Sequence, residues 1–340
     1  MLLALLADIH GNLPALEAVM AELERLQPDE VVLDGDLINA APFSGEVIDR
    51  VRATDWRVLR GNHEFYYLNY GTERDVPHSH DPERWGQLHW LVEHITPEQG
   101  RYLAALPDEL TLYYPGTRPL RVAHGVPGNH RGGFWLNQPQ EDILAAIAHV
   151  AETTLVTAHT HVQFDRILPL PTEFPAEQQA NPHMYLEPER SPAPRYRHVV
   201  NPGSVGLPLN GDPTAQFAVL ESVPDEAVPG GWKATHYRIP YDRRPVLEAF
   251  YTSGMLEAGG VISRLFYWEI VTAECEIIYF FHWARKRFEE PEANLNAAFA
   301  AYIEATGRDR YVNERDPLRK GARTLGEQPG SSAGAPAASP

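Results

Sequence analysis

Short apolar runs recur along the first half of the chain, and each ends in a polar cluster. Leu2–Ala7 leads into Asp8-Ile9-His10-Gly11-Asn12, and Glu30–Leu33 into Asp34-Gly35-Asp36. Trp56–Leu59 leads into Arg60-Gly61-Asn62-His63-Glu64, Leu120–Ala123 into His124-Gly125, and Thr154–Thr157 into Ala158-His159-Thr160-His161. Runs of this length and composition predict β-strands. Between the first two, apolar residues at three- and four-residue spacing predict an amphipathic helix from Leu13 to Leu26. Strands alternating with helices imply a layered α/β fold. Polar residues gathered just past strand ends occupy the expected position of a site in such sheets.

After His161 the texture changes. Val162–Leu168 reads as a strand, and Pro169 to Pro194, rich in proline and polar residues, as an insertion loop. Val199–Val200, Ala215–Leu220 and Thr235–Tyr241 read as strands joined by turns, and Pro245 to Gly307 as helical. Lys320–Pro340 is rich in Gly, Ser, Ala and Pro, a composition expected to be disordered. The expected organisation is a first domain over 1–242, a C-terminal helical extension over 243–318 and a tail over 319–340, with no internal repeat.

Length and charge narrow the functional classes. The chain has 340 residues, enough to bury a large core. Its 29 Lys and Arg against 46 Asp and Glu leave a net charge of −17. So acidic a surface repels polyanions at long range and argues against a dedicated nucleic-acid surface, which would show a basic stripe. Cys275 is the single cysteine, so neither an internal disulfide nor a thiolate metal cage can form. Met1–Ala7 is apolar but lacks a basic flank and is too short for a signal segment. The apolar stretch Leu265–Phe281 is interrupted by Glu269, Glu274 and Glu276, each costly in hydrocarbon, and reads as a buried or interface helix. A cytoplasmic protein with no membrane partner is expected.

Each polar cluster alone is compatible with a turn or a helix cap. In order they deliver Asp8, His10, Asp36, Asn62, His63, His124, His159 and His161, all oxygen and imidazole donors without sulfur. That set suits Mn, Fe, Co, Ni or Zn better than Ca or a structural zinc. Even if one of the eight is not a ligand, seven are too many for one ion and suit two that share a bridging carboxylate.

The order Asp8-x-His10, Gly35-Asp36, Gly61-Asn62-His63-Glu64, His124 and His159-x-His161 resembles the calcineurin-like metallophosphoesterase superfamily. The later Asn201-Pro202-Gly203-Ser204-Val205-Gly206 resembles its short bacterial, phosphodiesterase-like branch, and the likeness extends over about residues 1–240. The resemblance implies a four-layer αββα sandwich, here with the C-terminal helical extension added, and two divalent transition-metal ions, Mn first and Fe, Zn, Co or Ni as alternatives. It also implies that one ion is held by Asp8, His10, Asp36 and His161, the other by Asp36, Asn62, His124 and His159, with Asp36 bridging. His63 would face the leaving-group oxygen as the catalytic acid. Ala158 stands where the family often has Gly, which is compatible with the fold if its φ stays negative.

The expected activity is hydrolysis of phosphate esters, diesters first and monoesters second, by a metal-bridging hydroxide attacking phosphorus. Two divalent ions bring four positive charges, of which Asp8, Asp36 and the hydroxide cancel three. The remaining positive charge lets an acidic protein hold a small anionic ester. Ions of this kind lower the pKa of bound water to about 7, and a positioned acid contributes about 10²–10⁴-fold. Arg131, beside Gly132-Gly133, is a candidate substrate contact, and Asn12 either contacts substrate phosphate or caps a helix. The aromatic residues Phe266, Tyr267, Trp268, Tyr279, Phe280, Phe281 and Trp283 would pack on the sandwich, cover the mouth of the site or form a homo-oligomer contact. A Ser/Thr protein phosphatase is the alternative activity, weakened because Leu37-Ile38-Asn39-Ala40 follows Gly35-Asp36 without an Asp-Arg-Gly. A non-catalytic scaffold of the same fold is the alternative of another class, and it would be expected to have lost ligands that are all present here.

Overall fold

The computed structural model describes residues 1–170 and 195–319. The expected insertion loop, from residue 171 on, and the expected tail lie outside the described residues. The chain runs β1 (Leu2–Leu6), α1 (Leu13–Leu26), β2 (Glu30–Asp34), α2 (Ser44–Arg52), β3 (Arg57–Leu59), α3 (Asn62–Asn69), α4 (Pro82–His94) and α5 (Pro97–Ala105). It continues as β4 (Glu109–Leu112), β5 (Leu120–Ala123), α6 (Gln140–Ala146), β6 (Thr154–Val156), β7 (Phe164–Pro169), β8 (Tyr196–Asn201), β9 (Ala215–Ser222) and β10 (Trp232–Ile239). The helices α7 (Arg244–Thr252), α8 (Met255–Ala258), α9 (Gly260–Thr272), α10 (Glu276–Ala284), α11 (Leu295–Thr306) and α12 (Arg308–Asn313) complete it.

Two five-stranded sheets form, in the orders β10-β9-β1-β2-β3 and β4-β5-β6-β8-β7. In the first, β1, β2 and β3 are parallel, and in the second β5, β6 and β8 are parallel. Alternation along the strands explains the layering, since successive side chains leave opposite faces. Leu3 and Leu5 of β1 join Val122, Val156, Val200 and Trp232 in a core between the sheets. Ala4 and Leu6 of the same strand face Leu16, Val19, Val47 and Leu103 of the outer helices. On the far side, Leu155, Phe164 and Val199 pack under Ile143 and Ile147. These three cores make the four-layer αββα sandwich expected from the sequence.

Three departures from the expected elements have local causes. Strand β4 went unanticipated because Glu109-Leu110-Thr111-Leu112 is partly exposed at a sheet edge and forms only by antiparallel pairing with β5. Strand β10 begins at Trp232, where the left-handed pair Gly230-Gly231 turns the chain, and stops before Tyr241. The C-terminal region is not one run of helix: the left-handed residues Gly254, Gly260 and Ala273 divide it. The break at Ala273 splits Leu265–Phe281 between α9 and α10, and among the described residues no helix is long and apolar enough to cross a membrane.

The C-terminal helices have a core of their own. Phe280 stands edge to face with Phe299 and with Tyr302, and Trp268 packs tilted against Phe299. The cluster also takes in Ala40, Ala41, Trp90 and Leu207, so the helices sit on α4 and on loops that leave β2 and β8.

Candidate metal centre

The parallel strands deliver the polar clusters to one place. Asp8 and His10 follow β1, Asp36 follows β2, Asn62 and His63 follow β3, His124 follows β5, and His159 and His161 follow β6. Asp8, His10, Asp36, His159 and His161 all take positive φ, between 52° and 66°. A non-glycine residue there costs about 1–2 kcal/mol, so surrounding bonds must hold it. They do so by stitching neighbouring loops together. Asp8 N donates to Gly35 O at 3.1 Å, His10 N to Asp36 O at 2.9 Å, and Ala158 N to His124 O at 2.9 Å. The turn after β8 adds Ser204 Oγ to Asp8 O at 2.7 Å and Asn201 Nδ2 to Ala158 O at 3.1 Å. Ala158 keeps negative φ, so the missing glycine is harmless there.

Two carboxylates form the middle. Asp8 Oδ1 lies 3.3 Å from His161 Nε2 and 3.8 Å from His10 Nε2. Asp36 Oδ2 lies 3.2 Å from His124 Nε2 and 3.7 Å from His10 Nε2. His10 Nε2 and His161 Nε2 are 3.1 Å apart. Asn62 Oδ1 lies 2.7 Å from His159 Nδ1 and 3.1 Å from His124 Nε2. All seven residues expected as ligands therefore converge. Two subsets with mutually close ligand atoms stand out, Asp8, His10, Asp36 and His161 in one and Asp36, His124 and His159 in the other.

The donor set fits divalent cations on its chemistry. Both Asp8 oxygens and Asp36 Oδ2 are buried with no hydrogen-bond partner. Buried, unpartnered carboxylate oxygens are costly unless a cation meets them. His161 Nδ1 is 2.6 Å from Leu207 O, and His124 Nδ1 is 2.8 Å from Asp34 O. A carbonyl on Nδ1 fixes the proton there and turns the Nε2 lone pair inward, as metal-binding imidazoles require. Burial opposes charge on His124, but the Asp36 carboxylate outweighs it and raises the imidazole above its usual range. His161 is raised in the same way by Asp8. Burial lowers His10, and pushes His159 down to about 4 with His124 adding to the effect. This buried Asp/His cluster suggests a divalent metal site.

His63 differs from its neighbours. Its side chain keeps 15 % of its surface exposed, against 1 % for Asp36 and His124, so it can meet a substrate. Its Nε2 lies 4.0 Å from Asp36 Oδ2. The ring stands edge-on to Tyr66 at 5.4 Å and to Phe266 of α9 at 6.5 Å. One aromatic residue of the C-terminal helices therefore borders the site, while most of them pack among themselves.

Of the candidate substrate contacts, Arg131 is exposed, with its guanidinium 5.4 Å from the Tyr66 ring centre. Its loop is tied to the site, because a Cβ on Gly133 would fall 3.0 Å from His159 Cδ2. Asn12 is fully buried, and its geometry is that of a cap rather than a substrate contact. Its Oδ1 accepts from Ala15 N at 3.3 Å, and its Nδ2 donates to Gly206 O at 2.7 Å and Tyr241 OH at 2.8 Å, so the amide is fully used inside the protein.

Three further residues matter that were not among the candidate site residues. Glu64 is fully buried, and its carboxylate accepts from Gly61 N at 2.7 Å, Asp36 N at 2.9 Å, Leu37 N at 2.9 Å and Ile38 N at 3.3 Å. It ties the loop bearing Asp36 to the start of α3. Gly61 makes the approach possible, since a Cβ there would lie 2.2 Å from Asp36 Oδ1. Glu64 sits three residues into α3, the usual place for a carboxylate that caps its own helix, and it closes the Gly61-Asn62-His63-Glu64 block that carries the family resemblance. Asp34 is buried with both oxygens unpartnered, and burial, with Asp8 and Asp36 nearby, pushes it up to about 8. Asn39, buried beside His63, is the third.

Comparison with known proteins bears on the family and the fold. The chain is 21% identical over 274 residues to the uncharacterized protein MJ0912 of Methanocaldococcus jannaschii, covering 78% of this chain and 97% of that protein. A solved metallophosphoesterase from Sphaerobacter thermophilus superposes with a TM-score of 0.54 at 23% identity, covering 78% of this chain and 99% of the other. The hypothetical protein PH1004 of Pyrococcus horikoshii OT3 gives 0.57 at 22% identity, covering 77% and 97%. At these identities the two structures bear on the fold. The family model described as calcineurin-like phosphoesterase matches residues 1–179, and the chain belongs to that family.

Proposed function

We propose that this protein hydrolyses small phosphate esters, phosphodiesters first and phosphomonoesters second, with two divalent transition-metal ions, Mn being the first choice. The observation that carries this reading is the pair of buried carboxylates, Asp8 and Asp36, whose unpartnered oxygens are ringed by imidazole and amide donors. Asp8, His10, Asp36 and His161 would hold one ion. Asp36, Asn62, His124 and His159 would hold the other, with Asp36 shared. When bound, the ions would activate the attacking water and neutralise charge on the phosphoryl oxygens.

The remaining work falls to the chain itself. His63 faces the open side, where its Nε2 can pass a proton to the leaving oxygen. Arg131 is a cation at the rim of an acidic chain, suited to hold an anionic group of the substrate. Tyr66 lies between the two, its ring 5.4 Å from that of His63 and its ring centre 5.4 Å from the Arg131 guanidinium.

The test is purified protein, stripped with chelator and reloaded with Mn, assayed on a linear diester, a cyclic nucleotide, a phosphomonoester and a phosphopeptide. Hydrolysis should appear on reloading and be fastest on a diester. His63→Ala should slow esters with alkyl leaving groups by about 10²–10⁴-fold, and activated aryl esters far less, because an aryloxide departs without a proton. Failure of the metal-loaded protein to hydrolyse any of these compounds would sink the proposal.

A further inference from the structure

His63 stands between two aromatic rings that belong to different cores. Tyr66, one turn further along α3, packs on the core between the first sheet and its helices, and Phe266 packs on the core of the C-terminal helices. Their ring centres lie 5.4 Å and 6.5 Å from that of His63, with interplanar angles of 71° and 68°. Both residues are half-buried, so each ring is anchored in its core and keeps part of its surface open. Tyr66 is backed in turn by Trp85 of α4, edge-on at 5.7 Å. Phe266 is fixed because α9 is fastened at both ends. Just before α9 the chain meets α4 so closely that a Cβ on Gly86 would lie 2.3 Å from Ala258 O. At the other end, Arg243 Nη1 donates to Ile270 O at 2.9 Å and Val271 O at 2.8 Å, and Gly211 N donates to Ala273 O at 2.7 Å.

We propose that Phe266 and Tyr66 line the leaving-group subsite, and that the alcohol released carries a flat aromatic body on an alkyl oxygen. The inference rests on the phosphoesterase reading, which puts the leaving oxygen at His63, and it adds the class of substrate. The oxygen is alkyl because only an alkoxide needs a proton to depart. The body is aromatic because of what surrounds it. Phe266 offers only carbon, and Tyr66 a ring with one hydroxyl. A leaving group dense in hydroxyls gives up its hydrogen bonds to water there and finds few in return. A flat ring gains from the apolar area it removes from water and from edge or offset contacts with the two aromatics. In the hydrolysis, the oxygen of water bonds to phosphorus and the P–O bond to this alcohol breaks. The departing oxygen keeps the electron pair of that bond and takes a proton.

The test is a mixed diester, methyl phenethyl phosphate, given to the full-length protein reloaded with Mn. Its two alcohols are alike in basicity, so the ratio of phenethyl alcohol to methanol released reports which group lies beside His63. The ratio comes only from active molecules, so partial unfolding or partial metal loading cancels. Wild type should release phenethyl alcohol at least about 5-fold faster, from about twofold or more at each ring. Phe266→Ala should lower the ratio by about 2- to 12-fold. Phe266→Leu fills the same space in the core and lacks the ring, so it controls for folding and should lower the ratio by about twofold or more. Phe266→Tyr keeps the ring and should hold the ratio within about twofold of wild type. A second readout needs no turnover. Phenylpropylphosphonate, in which CH2 replaces the bridging oxygen, should bind at least about 5-fold tighter than ethylphosphonate by calorimetry, and Phe266→Leu should reduce that preference.

Equal release of the two alcohols by wild type, or a ratio that neither Phe266→Ala nor Phe266→Leu moves, would overturn the aromatic subsite while leaving the phosphoesterase reading intact. A wild type inactive on every ester that still prefers the phenyl phosphonate, with the preference reduced in Phe266→Leu, would overturn the reaction and support the aromatic pocket. Inactivity together with equal binding of the two phosphonates would overturn both.

Discussion

Replacing Glu64 by Gln removes one charge and reverses the polarity of half the side chain, at a carboxylate that four backbone N–H groups share. If Gln Oε1 keeps Leu37 N and Ile38 N, its Nε2 donors face Asp36 N and Gly61 N. Two buried N–H groups are then left without acceptors, each worth about 1–3 kcal/mol. The expected destabilisation is about 2–6 kcal/mol, a large share of a total of about 5–15 kcal/mol. At about 2–4 °C per kcal/mol for sizeable domains, the melting temperature should fall by about 4–24 °C. Burial, with the Asp36 carboxylate adding to it, pushes Glu64 up to about 7, so the comparison belongs at pH 8, where the carboxylate is ionised. The loop that loses its anchor carries Asp36, so metal affinity should fall as well. Urea and thermal unfolding of metal-free protein measure the first effect, and Mn titration calorimetry the second. A Glu64→Gln protein within about 0.5 kcal/mol of wild type that binds Mn equally well would show that this carboxylate does not hold the site together.

Two shorter predictions concern the carboxylates on either side. Asp36→Asn should lose at least half the bound metal and about 100-fold or more in activity, read by elemental analysis and by turnover on a diester; full metal content with wild-type turnover would remove Asp36 from the shared position. Glu269 in α9 is pushed up to about 8 by burial, against an unfolded value near 4.5. The folded state therefore holds its proton more tightly, so this group's contribution to stability is complete below about pH 4.5 and is lost as pH rises toward 8. Glu269→Gln keeps the acceptor for Ile277 N and should flatten the decline between pH 5 and pH 8 in chemical unfolding. Parallel curves for variant and wild type would refute the shift.

Much of this protein follows from local sequence. The alternation in Leu2–Leu6 fixes which side chains face the second sheet and which face the helices, because strand geometry has a period of two residues. The positions of Asp8, His10, Asp36, Asn62, His124, His159 and His161 just past apolar runs were legible for the same reason, and their residue types announced oxygen and nitrogen chemistry. Only the tertiary structure decided what depends on groups far apart in the chain. Asn12 reads equally as a cap or a contact until Gly206 O and Tyr241 OH are seen to take its amide. Glu64 looks like a cap for its own helix until its oxygens are found on the Asp36 loop. Phe266 borders His63 only because α9 packs on loops more than two hundred residues earlier in the chain. Hydrophobic period is a property of neighbours along the chain, whereas the partner of a buried polar group is set by whichever strand end folding brings beside it.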